Sequence, residues 1–226
     1  MMTMDARDLK DALALAAAKF RQAEGRLNEL DGALGDGDHG ITVRIGFEAI
    51  RIAVGAMDDS ATPDAILRAA GMAFMGATGG AIGVIFGKAL SAGGLALRGT
   101  PQIGPPEFVA MLKSMESAVA AAGKVKPGDK TILDSIHAAA AVVPGPDLVE
   151  TMRAAYLLAE RGAEETAGWP CKVGRASRLG DRAIGHVDPG AVSFSIFLKA
   201  LLESIETKAD ALSPHHARPG KAATRQ

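Results

Sequence analysis

The chain has 226 residues, with 25 Lys and Arg set against 26 Asp and Glu for a net charge of −1. That balance offers no basic footprint for nucleic acid, and 4% aromatic residues leave little for base stacking. With 48% hydrophobic and 23% charged residues the composition is that of a folded globular chain, large enough for one core or for two small domains.

The N-terminus carries Asp5, Asp8 and Asp11 and no basic region ahead of an apolar run, so no signal peptide is expected. Leu9, Leu13, Ala16, Ala17, Phe20, Leu27 and Leu30 then recur at helical spacing and predict a first long helix. Further helices are predicted over about Thr42–Val54, Pro63–Met75, Gly79–Leu95, Pro106–Ala122, Thr131–Val143, Pro146–Ala167 and Gly190–Lys208. Pro63, Pro106 and Pro146 sit near helix starts, where a missing N–H costs least. The most apolar stretch, Gly79–Leu97, has Lys88 in its middle and reads as a buried helix rather than a membrane span. The single cysteine, Cys171, excludes an intrachain disulfide and a multi-cysteine metal site, and fits a reducing compartment. No convincing alternation of apolar and polar residues predicts a strand. The expectation is an all-α, soluble, cytoplasmic protein of about eight helices, without a membrane or nucleic-acid partner.

The 27 glycines are expected in loops, because each costs roughly 1 kcal/mol inside a helix. The breaks between predicted helices read LGDGDHGIT, GATGG, KPGDKT, WPCKVGRASRLG and GHVDPG, mixing glycine with Asp, His, Lys and Arg. In the first of these, Gly35 and Gly37 let the chain fold Asp36 and Asp38 back towards Asp31. Three carboxylates at such range repel one another, and a hard divalent cation removes that penalty. An all-oxygen ligand set points to Mg²⁺ rather than Zn²⁺. The competing reading is a solvated acidic turn, with Asp36 as a helix N-cap.

His39, Gly40, Ile41 and Thr42 open the second helix, whose N-terminus can receive an anion; His39 can donate to a phosphate oxygen or serve as a turn histidine. Thr78 and Gly79 permit close approach to phosphate or simple helix packing. Asp129 or Thr131 can N-cap the next helix, and Arg175 can clamp a phosphate or lie on the surface. Asp188, Pro189 and Gly190 form the turn into the last helix, with no role derivable locally.

LNELDGALGDGDHGIT, GATGG, KPGDKTILD, GRASRLG and GHVDPGA, in this order and spacing, resemble the L subunit (DhaL), the nucleotide-binding component of dihydroxyacetone kinases, over about residues 7–205. The resemblance implies a closed barrel of eight antiparallel amphipathic helices with the nucleotide, ADP or ATP, at one end. It implies that Asp31, Asp36 and Asp38 hold two Mg²⁺ ions. It matches His39, Gly40, Ile41, Thr42, Thr78, Gly79, Gly123, Ile132, Arg175, Asp188, Pro189 and Gly190 to nucleotide contacts. The family often has Ser in place of Thr78, and a bulkier, proline-containing stretch in place of Gly80, Ala81 and Ile82.

It further implies a separate K-type subunit that carries a small ketose, dihydroxyacetone by default. In one branch of the family the phosphoryl source is ATP. In the other it is a phosphohistidine carrier protein recharging bound ADP. A Mg·ADP-dependent regulatory module without transfer is the alternative from another class. A third reading is a helical bundle whose acidic loop is merely solvated. A homo-oligomer is compatible with all three. The domain is expected over residues 1–210, followed by a polar tail over residues 211–226 that takes no part in the chemistry.

Overall fold

In the computed structural model, which describes residues 2–212, the chain forms eight α-helices. They are α1 (Ala6–Gly32), α2 (His39–Gly55), α3 (Pro63–Ala77), α4 (Gly80–Ala96), α5 (Pro105–Gly123), α6 (Ile132–Ala140), α7 (Leu148–Glu165) and α8 (Pro189–Leu212). Two 3₁₀ stretches, Thr166–Gly168 and Arg175–Ala183, lie in the long connection before α8. Met4 and Ile103 make an isolated antiparallel bridge, and no strand occurs among the described residues. The predicted tail falls mostly outside the described residues; Ala211 and Leu212 belong to α8.

Local chemistry accounts for most boundaries. Asp5 and Asp8 form a capping box at the start of α1. Pro63 and Pro105 occupy the first positions of α3 and α5. Asp147 accepts from the Val149 N–H at 2.8 Å, so α7 opens at Leu148 and not at Pro146. α6 ends at Ala140, shorter than predicted. Pro144 follows, and the residue before a proline disfavours helical backbone. α2 begins at His39, three residues earlier than predicted, and takes in Gly40 and Ile41.

Each helix packs on the next, and α8 packs on both α7 and α1, which closes the ring. A cluster of phenylalanines sits in the interior among buried Leu, Ile, Val, Met and Ala. Phe47 of α2 stacks on Phe20 at 4.1 Å between ring centroids and meets Phe86 at 5.3 Å and Phe74 at 5.6 Å, both edge-on. Phe197 of α8 completes the set at 6.0 Å. Such offset and edge-on pairs add to the burial of their rings.

The glycines depart from expectation. Many lie inside helices, because α3 and α4 approach backbone to backbone. A Cβ on Gly71 would sit 2.5 Å from the Gly87 carbonyl oxygen, and one on Gly94 2.8 Å from that of Asp64. Tertiary contact outweighs the helix penalty there. The same packing buries one face of the apolar α4 while Val84, Lys88 and Leu95 face outward. Among the described residues no helix is long and apolar enough to cross a membrane.

The up-and-down course has one consequence for the site. Short connections between packed neighbours make successive helices antiparallel. The N-termini of α2, α4, α6 and α8 therefore share one end of the ring. So do the connections 33–38, 78–79, 124–131 and 166–188, which hold the glycine-rich motifs.

Candidate functional site

At that end opens a cavity of about 870 Å³. Of the residues singled out from the sequence, Asp31, Asp36, Asp38, His39, Thr42, Gly79, Gly123, Ile132, Asp188, Pro189 and Gly190 line it. Gly40, Ile41 and Thr78 do not, and the side chain of Arg175 lies outside the described residues.

Asp31 projects from the last turn of α1. Its Oδ2 accepts from the backbone N–H groups of Gly37 (2.9 Å), Asp38 (3.1 Å) and His39 (3.4 Å), so the carboxylate pulls the following loop over itself. Gly37, at φ 78°, makes the required left-handed turn. Gly35 lies close beneath: a Cβ there would meet Asp31 Oδ1 at 2.8 Å. The result is a cluster in which Asp31, Asp36 and Asp38 each offer one oxygen, all within 4.8 Å of one another, with Asp36 and Asp38 exposed. Asp38, not Asp36, holds the N-cap position of α2, and its side chain makes no capping hydrogen bond. Three hard anionic oxygens at this spacing, without thiolate or imidazole, fit Mg²⁺.

His39 is 8% exposed. Its Nε2 lies 2.8 Å from the Ser193 hydroxyl, and the ring also hydrogen-bonds to the Pro189 carbonyl. Burial pushes its pKa down to about 4 against the pull of Asp31, so the imidazole is neutral at pH 7. The ring ties the start of α2 to the first turn of α8. Gly40 serves the same packing from the other side, since a Cβ there would lie 2.1 Å from the Glu24 carbonyl oxygen of α1. Gly40→Ala is therefore expected to push α2 off α1 and cost about 1–3 kcal/mol, read as a lowered urea midpoint at constant m. Ile41 donates its N–H to Asn28 Oδ1 at 3.2 Å, and its side chain is exposed. The Thr78 hydroxyl donates to the Phe74 carbonyl at 2.7 Å, which closes the C-terminus of α3.

The α6 and α8 N-termini form the opposite wall. Thr131 is the N-cap of α6, its Oγ1 accepting from the Leu133 N–H at 3.1 Å. Asp134 answers it by accepting from the Thr131 N–H at 2.7 Å and the Gly128 N–H at 2.5 Å. Asp188 accepts from the Ala191 N–H at 2.7 Å and caps α8. Burial, reinforced by the negative charge of Asp134, pushes the Asp188 carboxyl up to about 7. Four helix N-termini facing one cavity bring partial positive charge to it, while Asp31, Asn28, Thr131 and Asp188 accept several of their N–H groups.

Two further wall residues carry no local sequence signal for that role. Lys130 is buried at 1% exposure, and Cys171 lies beside it, its thiol raised chiefly by burial. Burial of a turn lysine leaves no local signature, so only the Gly128–Thr131 string to which it belongs pointed to the place.

The DAK2 domain model matches residues 33–203, well over half of the chain. A PEP-dependent dihydroxyacetone kinase 2, ADP-binding subunit DhaL, of Listeria innocua is 32% identical over 91% of this chain and 97% of its own length. The corresponding Escherichia coli ADP-binding subunit is 32% identical over 77% of this chain and 85% of its own. The L-erythrulose 1-kinase of Mycolicibacterium smegmatis is 33% identical, but the match spans only 33% of that longer protein. Among solved structures, the dihydroxyacetone kinase of C. freundii in complex with AMP-PNP and Mg²⁺ superposes with a TM-score of 0.66 at 25% identity, over 86% of this chain and 33% of that one. The helical ring and these matches agree with the resemblance carried by the sequence motifs, and the chain belongs to the DAK2 domain family.

Proposed function

We propose that this chain is the nucleotide-binding subunit of a small-ketose kinase, handing a phosphoryl group to a hydroxyl of a ketose held on a separate K-type subunit. The observation that carries the reading is the gathering of three carboxylate oxygens within 4.8 Å at a cavity onto which four helix N-termini open. Phosphoryl transfer needs positioning and charge neutralisation more than covalent help.

Asp31, Asp36 and Asp38 would hold Mg²⁺, two ions by family resemblance; when bound, the metal neutralises charge on the phosphate oxygens. Gly79 and Gly190 line the same space at the starts of α4 and α8, whose positive dipole ends would favour an anion there. Ile82, Ile85, Val119 and Val125 provide an apolar wall for a base. Asp31 fixes the loop through its three N–H contacts, and His39 and Ser193 hold that loop against α8. We assign no general base to this chain.

The match along nearly the whole of a PEP-dependent, ADP-binding subunit favours ADP as a retained cofactor, recharged by a phosphohistidine carrier. Mg·ADP at 100 times its Kd is expected to stabilise the protein by about 2.7 kcal/mol, a rise in Tm of about 5–10 °C. ADP is further expected to survive gel filtration, and transfer to dihydroxyacetone to require both a K-type subunit and a carrier. Turnover sustained by free ATP alone would assign the ATP branch instead. Binding without any phosphorylated ketose would indicate a regulatory module.

A further inference from the structure

One residue of the KPGDKT turn is explained neither by the carboxylate cluster nor by the helix caps. Lys130 adopts a left-handed backbone conformation, φ 63°, and its side chain is buried. Its ammonium donates to the carbonyls of Trp169 at 3.0 Å and Ala183 at 2.6 Å. Among the described residues its hydrogen bonds thus go to carbonyls and not to carboxylates. A methionine would fill similar volume without the cost of desolvating a charge. A lysine is worth having there only if the charge is used.

The two acceptors show its use. Trp169 and Ala183 bracket the segment of the α7–α8 connection that supplies Cys171, Val173, Gly174 and Ala176 to the cavity wall. One ammonium therefore pins both ends of that segment. Lesser ties act beside it. The Lys172 N–H donates to the Asp129 carbonyl at 3.2 Å, and Lys172 Nζ donates to that of Gly128 at 2.7 Å. Cys171 and Ala183 form a small apolar cluster with Leu34, and Ala176 and Leu179 pack against it. Leu34 lies between Asp31 and Asp36, so the segment rests on the carboxylate loop itself.

We propose that Lys130 is a positioning residue for the nucleotide site: its ammonium straps segment 169–183 across the cavity, closing that wall over the bound nucleotide and slowing its release. The effect on release rests on the nucleotide reading above, whereas the strap can be tested without ligand. Lys172, Arg175, Arg178 and Arg182 offer trypsin sites within the segment. In Lys130→Met, without ligand, cleavage at these sites is expected to be about tenfold faster than in the wild type, because the segment opens locally. Release of a fluorescent ADP analogue in saturating Mg²⁺ is expected to be about tenfold faster as well. The Mg²⁺ midpoint for analogue binding is expected to stay at the wild-type value; a general loosening of the fold would shift it.

Leu179→Ala removes one apolar tie of the segment without touching the helical ring. It is expected to speed cleavage and release in the same direction by less, and keeps the test available if Lys130→Met does not fold. Cleavage at the wild-type rate in Lys130→Met overturns the strap. Faster cleavage with unchanged release overturns its effect on the nucleotide. If the wild type itself binds no Mg·ADP, the nucleotide reading falls while the cleavage comparison still decides the strap.

Discussion

Asp36→Asn is expected to lower turnover with the K-type partner by about 100-fold or more, an effect of at least about 2.7 kcal/mol on the transition state. The substitution keeps the side chain's size and its capacity to accept hydrogen bonds while deleting one of three charges gathered within 4.8 Å. The Mg²⁺ midpoint for ADP binding should rise in parallel. A circular-dichroism spectrum of the metal-free variant that matches wild type separates loss of a metal ligand from simple unfolding. Wild-type Mg²⁺ dependence and turnover in this variant would refute the carboxylate cage and leave the acidic loop a solvated turn.

Phe47→Ala is expected to carry the largest stability loss, about 3–5 kcal/mol, with the guanidinium midpoint falling at nearly constant m. Phe47 is fully buried and its ring meets Phe20, Phe74, Phe86 and Phe197, from four different helices. Truncation leaves a void that none of these can fill without moving its own helix. Under conditions where the variant remains folded, Mg·ADP affinity should change by less than about tenfold. The carboxylate loop is held by Asp31 and by the His39–Ser193 contact rather than by the phenylalanine cluster. A loss of only about 1 kcal/mol would mean that the interior is loosely packed and can collapse.

The amino-acid sequence alone determined the class of the fold and singled out the strings that line the cavity. Apolar residues at helical spacing, prolines in first turns and Asp or Thr caps act over four or five residues, so helices α1 to α8 were readable to within a few positions. The DGDHG and DPG strings were equally local signals, because glycine and aspartate in such density have no use in an ordinary helix connection. The grouping of those strings was carried by resemblance and not by spacing. Only the up-and-down ring brings the odd-to-even connections to one end, and that follows from which helices pack side by side.

Tertiary structure likewise decided the glycines of α3 and α4, which propensity assigned to loops and close backbone approach placed inside helices. It turned the His39 ring towards Ser193 and Pro189, and it spent the Thr78 hydroxyl on α3. It also buried Lys130, whose sequence neighbourhood reads as an exposed turn. The physical reason is common to all four. Backbone preference is set by near neighbours along the chain. Burial, pKa and the partner of a polar group are set by residues dozens of positions away, which only the closed ring brings into contact.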